Sequence, residues 1–328
     1  MDTKTKSDLQ SIRMAAISKK RTCMYSGCHD RAIKSHVLQK NGILRQMSED
    51  NHLVEMRATS IIELEEKGMF SFRSVGVNES YTFNGFCNKH DSLIFAQIEN
   101  DNLLDFYKPL HQCLFSYRGL CQEIRRKEVS IEWISEVSLK LDPVSQLQFA
   151  SLIDGYKSGV KNLNFFKKEM EKAIDSGDLS SFNFTTVKLP KIELCISVPL
   201  NVNELEDSNP HNLPYEAWKD SLSFPFTTSF INLFPYKKDS YFISGYHTDF
   251  PCGWTKRVTN KLSYLKNKKL KKELSDFVVL RLEFWAMSPS LFKKIPAKTI
   301  EKFKHIFSKN VMNHSAKMKT DINLFETV

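Results

Sequence analysis

The chain has 328 residues, a net charge of +9 and ordinary globular composition, with 41% hydrophobic and 26% charged residues. Enough apolar residue is present to bury a core in two or three units of common size, and 24 phenylalanines argue against disorder. No apolar run reaches the length of a transmembrane helix, and the polar start MDTKTKSDLQSIRMAAISKK lacks the apolar stretch of a signal peptide, so a cytoplasmic protein without a membrane partner is expected.

Residues 1–20 read as a short helix or a loose leader. Within residues 21–95 lie two ligand-bearing segments, Cys23-Met-Tyr-Ser-Gly-Cys28 and Cys87-Asn-Lys-His90. Between them, residues 42–56 (GILRQMSEDNHLVEM) place Ile43, Leu44 and Met47 at helical spacing. Residues 68–86 alternate and carry aromatic and β-branched side chains, which predicts two short strands joined at Val77-Asn78-Glu79, with a helix starting near Cys87. Apolar residues spaced by three and four predict a long helix over 98–128, kinked or divided at Pro109. Asp142-Pro143 is an N-cap followed by proline at the first helical position, and it opens a second helix that ends at Ser176-Gly177-Asp178.

From about residue 180 the pattern changes. Segments 191–199, 227–235 and 240–247 read as strands, 199–214 as a loop, 256–274 and 297–313 as helices, and 277–287 fits either a strand or a helix end. The expected fold class is therefore α+β. Residues 1–97 are expected to form an N-terminal zinc-stabilised treble-clef module, 98–178 a helical middle, and 179–328 an α+β C-terminal domain.

Seven cysteines without a secretion signal point away from disulfides. Cys113, Cys121, Cys195 and Cys252 lie in apolar surroundings and read as small core residues. Cys23, Cys28, Cys87 and His90 fall in two close pairs. Zinc takes four such donors in a tetrahedron, and a tight turn at Gly27 lets one knuckle present two of them. A structural Zn²⁺ is the expected cofactor. Two knuckle pairs around a structured insert make a treble-clef arrangement.

The order C-x4-C, His36, Asn84 and C-x2-H-D resembles the HNH, or His-Me finger, nucleases that carry a structural zinc. The resemblance covers residues 21–95. It implies a ββα-metal core, metal-dependent endonuclease chemistry on phosphodiester bonds, His36 as general base, Asn84 orienting the catalytic loop, and Asp91 ligating a catalytic Mg²⁺ or Mn²⁺. A bacterial, antiviral defence setting would suit it. The chain departs from the family in three places. Asp91 stands where a histidine is usual, Ser35 stands where a ligating Asp, Glu or His precedes the first histidine, and 58 residues separate Cys28 from Cys87. His29, Asp30 and His52 are candidate substitutes for the missing ligand.

Residues 251–319 hold 17 Lys and Arg against 4 Asp and Glu, a net +13, whereas residues 1–100 hold 14 against 12. A nucleic-acid partner, DNA favoured over RNA, would find its basic footprint there. The mixed cluster Tyr117, Arg118, Arg125, Arg126 and Lys127 reads as a helix flank, Lys40 and Arg45 as a solvated helix face, and His247-x-Asp249 with Cys252 as a loop. The alternative to a nuclease is a non-catalytic, zinc-stabilised protein that binds nucleic acid or another partner.

Overall fold

In the computed structural model, residues 2–201, 224–312 and 319–325 are described, and the expected loop over 199–214 lies mostly outside them. Helix α1 (Thr3–Ser18) is capped by the Asp2 carboxylate, which accepts the Thr5 N–H at 2.8 Å. A three-residue strand β1 (Lys34–His36) follows the first cysteine pair. The expected helix over 42–56 forms only as a π-helical turn, Lys40–Leu44, and a short α2 (Arg45–Met47). Asp50 and Asn51 then take φ of 48° and 56°, left-handed values that a helix cannot contain, and the chain leaves as strand β2 (His52–Ala58). After the four-residue α3 (Leu64–Lys67), β3 (Phe70–Gly76) returns antiparallel to β2.

Residues 68–86 do form two strands, β3 and β4 (Thr82–Asn84), but these do not pair with each other. β4 pairs with β1, and β3 with β2. Alternation identifies a strand but not its partner, and a loop with Val77, Ser80 and Tyr81 buried turns the chain from one sheet into the other. α4 (Asn88–Glu99) starts directly after Cys87. The expected helix over 98–128 opens at Pro109 instead: α5 spans Pro109–Ser138, and Leu103, Leu104 and Phe106 lie in the connection before it. Proline at N1 sets that start. α6 (Pro143–Ser176) begins as expected at Asp142, whose carboxylate accepts the Val144 and Ser145 N–H groups at 3.1 Å, and closes on Gly177 at φ 76°.

The remaining strands are β5 (Phe182–Pro190), absent from the expectation, then β6 (Leu194–Asn201), β7 (Thr228–Tyr236) and β8 (Asp239–His247). The lysine-rich stretch is two helices, α7 (Gly253–Tyr264) and α8 (Asn267–Arg281), broken at Leu265-Lys266. Residues 277–287 finish α8 and then give the two-residue β9 (Ala286–Met287). α9 (Pro289–Lys293) and α10 (Ala297–Met312) follow.

A seven-stranded antiparallel sheet runs in the order β3-β2-β9-β6-β7-β8-β5, so it takes strands from both sides of residue 97. All nine residues of β7 are buried, as for a strand covered on both faces. Phe230, Phe234 and Tyr236 meet α5 and α6, while Ile231 and Leu233 meet the layer of α7, α8 and α10 with Trp285 and Phe303. Helices on both faces of an antiparallel sheet make this an α+β fold. α5 approaches β6 so closely that a Cβ on Gly119 would collide with Ser197 Oγ. Among the described residues no helix is long and apolar enough to cross a membrane.

Candidate metal centre and the ribbon beside it

The first cysteine pair sits on a hairpin-like clip. Cys23 N–H donates to the Asp30 carbonyl and Ala32 N–H to the Arg21 carbonyl, each at 2.8 Å, and Gly27 takes φ 77° at the tip. That left-handed conformation is open to glycine without penalty. The clip is joined to the second pair by backbone bonds from Met24 N–H to the Gly85 carbonyl (2.9 Å) and from Ile33 N–H to the Phe86 carbonyl (2.7 Å). Cys87 is the N-cap of α4, and His90 lies in its first turn.

The four expected ligands converge. Their donor atoms all lie within 4.8 Å of one another. His90 Nδ1 is 3.2 Å from Cys87 Sγ and 3.5 Å from Cys23 Sγ, and the sulfurs of Cys28 and Cys87 are 3.9 Å apart. A tetrahedral ion with bonds of ~2.3 Å to sulfur and ~2.0 Å to nitrogen requires edges of roughly 3.8 Å between sulfurs and roughly 3.5 Å between sulfur and nitrogen. The donors therefore already stand near the corners such an ion demands, and this Cys3His cluster could hold a structural metal ion. Burial pushes the Cys23 thiol up to about 11, opposed by the Cys87 and Tyr25 N–H groups that point at its sulfur, so a cation must displace a proton there. Among the described residues no other group of three or more Cys, His, Asp or Glu converges in this way.

The clip is also held from outside. The Tyr25 ring stacks on His90 with centroids 4.4 Å apart, and its hydroxyl donates to Asp175 at 2.6 Å. On α6 the buried pair Lys167–Glu171 (2.7 Å) engages Ser26: its hydroxyl donates to Glu171 at 2.5 Å and accepts from Lys167 at 3.2 Å. Tyr117 from α5 donates to the same carboxylate.

Beside the cluster, β1 and β4 form a two-stranded ribbon in the register Lys34↔Asn84, Ser35↔Phe83 and His36↔Thr82. Alternation puts His36 and Asn84 on one face and Ser35 on the other. Ser35 is fully buried there, and its hydroxyl accepts the Phe86 N–H at 3.3 Å. His36 Nε2 lies 3.0 Å from the Val77 carbonyl, which can only accept, so this nitrogen carries the proton and Nδ1 keeps its lone pair. Burial lowers the His36 pKa, helped by Lys40 and Arg118 and opposed by the Val77 carbonyl and Glu99. The Asn84 carbonyl accepts from Arg125 Nε at 3.0 Å.

Asp91 faces α5, where Arg118 Nη2 stands 3.7 Å from its Oδ1, and that buried oxygen receives no hydrogen bond. Arg118 is 2% exposed, binds Glu99 at 2.5 Å and covers the Phe95 ring at 3.9 Å. Tyr117 and Arg118 are thus internal rather than a helix flank. A lone arginine inside LFSYRGLC is the signal that marks it. Of the candidate substitute ligands, His29 and Asp30 are exposed on the clip, and His52 starts β2 in the other sheet. Cys113, Cys121, Cys195 and Cys252 are fully buried core residues, as expected. His247 is buried at the end of β8 among the rings of Phe165, Phe166, Phe182 and Phe250.

Comparisons with models of known protein families, with curated proteins and with solved structures return no match.

Proposed function

We propose that Cys23, Cys28, Cys87 and His90 hold one structural Zn²⁺, and that clip, ribbon and α4 are a treble-clef, ββα module of HNH type that hydrolyses phosphodiester bonds of nucleic acid, DNA before RNA. The observation that carries the reading is the His36 ring. Its Nε2–H is committed to the Val77 carbonyl, which leaves Nδ1 as a proton acceptor, and burial keeps the ring neutral at pH 7. In this reading His36 takes a proton from the attacking water, and Asn84, on the same ribbon face, orients that face. Asp91 would hold a Mg²⁺ or Mn²⁺ ion, which when bound would stabilise negative charge on the phosphate. Its buried Oδ1 receives no hydrogen bond and already faces one cation, the Arg118 guanidinium at 3.7 Å.

A second reading, a binding protein without catalysis, is favoured by two observations. Arg118 already faces the charge of Asp91, and Ser35, in place of a carboxylate, is turned into the core. One assay separates them. Plasmid DNA and RNA are incubated with the protein and Mg²⁺ or Mn²⁺. The nuclease reading expects nicking that His36→Ala abolishes, and equal background nicking by both proteins defeats it. Salt-dependent retention of DNA without cleavage selects the second reading. Zinc is tested by elemental analysis, with one ion per chain expected.

A further inference from the structure

The loop that presents Val77 to His36 is clasped by groups outside the metal cluster. Glu55, in the middle of β2, is fully buried. Its Oε1 accepts the Tyr81 N–H at 2.7 Å and also the Ser80 hydroxyl. Its Oε2 accepts from Arg57 Nε at 2.7 Å and Nη2 at 2.6 Å, and the same guanidinium donates to the Glu79 carbonyl at 3.3 Å. A buried carboxylate is tolerated when its lone pairs are engaged, and most of the donors here come from or hold loop 77–81.

Tyr81 has φ 54°, a left-handed value that a non-glycine residue keeps only when its surroundings impose it. Its carbonyl accepts the Val37 N–H at 2.8 Å, next to His36, and its hydroxyl accepts the Ser197 N–H of β6 at 2.8 Å. Its ring stacks on Phe284 at 4.7 Å. At the other end of the loop Val77 N–H donates to the Asn51 carbonyl at 2.8 Å. The seven-stranded sheet therefore grips the loop, and the loop's carbonyls at 77 and 81 grip His36 and Val37.

We infer that Glu55 and Tyr81 are positioning residues for His36: from the seven-stranded sheet they set loop 77–81 so that the Val77 carbonyl captures Nε2–H and leaves Nδ1 as the basic nitrogen. The catalytic meaning rests on the nuclease reading, whereas the state of the ring can be read without substrate. The groups facing His36 are the Val77 carbonyl, Lys40, Arg118 and Glu99, and none is substituted in the test.

The test uses the full, zinc-loaded chain with ¹⁵N-labelled histidine, and reads the His36 tautomer and titration by long-range proton–nitrogen NMR. His36→Gln assigns the signal. The wild type is expected as the Nε2–H tautomer, titrating below the ordinary imidazole range. Glu55→Ala and Ser80→Ala are expected to mix the tautomers and move the titration up. Glu55→Gln, which keeps an oxygen for the Tyr81 N–H, is expected to restore the wild-type signature. If Glu55→Ala does not fold, Ser80→Ala and Tyr81→Phe carry the test, the latter keeping the ring stack and losing the acceptor for Ser197. An Nδ1–H ring in the wild type, or an unchanged ring in folded, zinc-loaded variants, overturns the inference. A ring that follows Glu55 in a protein without nuclease activity supports it while the nuclease reading fails.

Discussion

The two β structures of this protein hold together by different means. The ribbon has two strands of three residues each, too small to stand alone in water. Four donors that could hold a metal ion, an external clamp from α6, the loop 77–81 and a small apolar contact, Phe83 and Phe86 against Phe95 and Tyr117, define it. The seven-stranded sheet has strands of up to nine residues, buried by helices on both faces. The contrast teaches that a cluster able to hold a metal ion and a packed core can do the same mechanical work over different areas. The first depends on a few donor atoms and the second on many contacts, each small.

The largest expected effect tests the ribbon's dependence on metal. Cys87→Ser, or a strong chelator, should release the ion and remove amide-exchange protection over residues 22–36 and 82–99, while β7 and β8 keep theirs. Structural zinc sites contribute on the order of 10 kcal/mol of apparent binding free energy. Full protection of the ribbon in a metal-free preparation would erase the comparison. On the side of the packed core, Trp285→Ala empties a fully buried site between β9 and α10, and should lower the unfolding free energy by about 3–5 kcal/mol in urea denaturation without altering zinc content.

Outside the loop 77–81, the clip beside the ribbon is held to α6 by the Lys167–Glu171 pair. Lys167→Met leaves a buried carboxylate with only hydroxyl and N–H partners, and should destabilise by about 3 kcal/mol, measured in the same way. Stability unchanged to within ~0.5 kcal/mol would show that the clip does not need α6.

A smaller effect follows from pH. His36, His111 and His247 all have pKa values lowered by burial. The unfolded chain therefore binds protons at a higher pH than the folded one. The stability these neutral rings confer is complete above the ordinary imidazole range and is lost as pH falls through their lowered values. The melting temperature should fall between about pH 7 and about pH 5, and less steeply in His247→Leu. The smallest effect concerns a cap. Ser288 accepts the Leu291 N–H at 3.0 Å and donates to Glu193 at 2.7 Å, so Ser288→Ala should cost about 1 kcal/mol in urea denaturation, with no change in metal content.

Much of the metal cluster is legible in the spacing of its ligands. Ligand pairs with four and two residues between their members report a local turn, and local geometry survives whatever surrounds it. The start of α6 is legible for the same reason, since Asp142 and Pro143 act on the backbone beside them. The helix expected over 42–56 fails because periodicity in Ile43, Leu44 and Met47 cannot register the two left-handed residues, Asp50 and Asn51, that end it. Strand β5 escapes sequence reasoning although FNFTTVKLP alternates, because its polar face reads like a loop until β8 is set beside it.

What the sequence determined by itself is therefore short-ranged: four side chains in two close pairs that could hold a metal ion, the two ends of α6, the buried cysteines and the α+β character. Tertiary structure alone decided which strands pair, that Arg118 faces Asp91, that Ser35 turns inward, and that a carbonyl 41 residues away fixes the proton on His36. These depend on contacts between residues far apart in the chain. Such contacts are selected by the packing of the whole core and leave no spacing in the sequence to read.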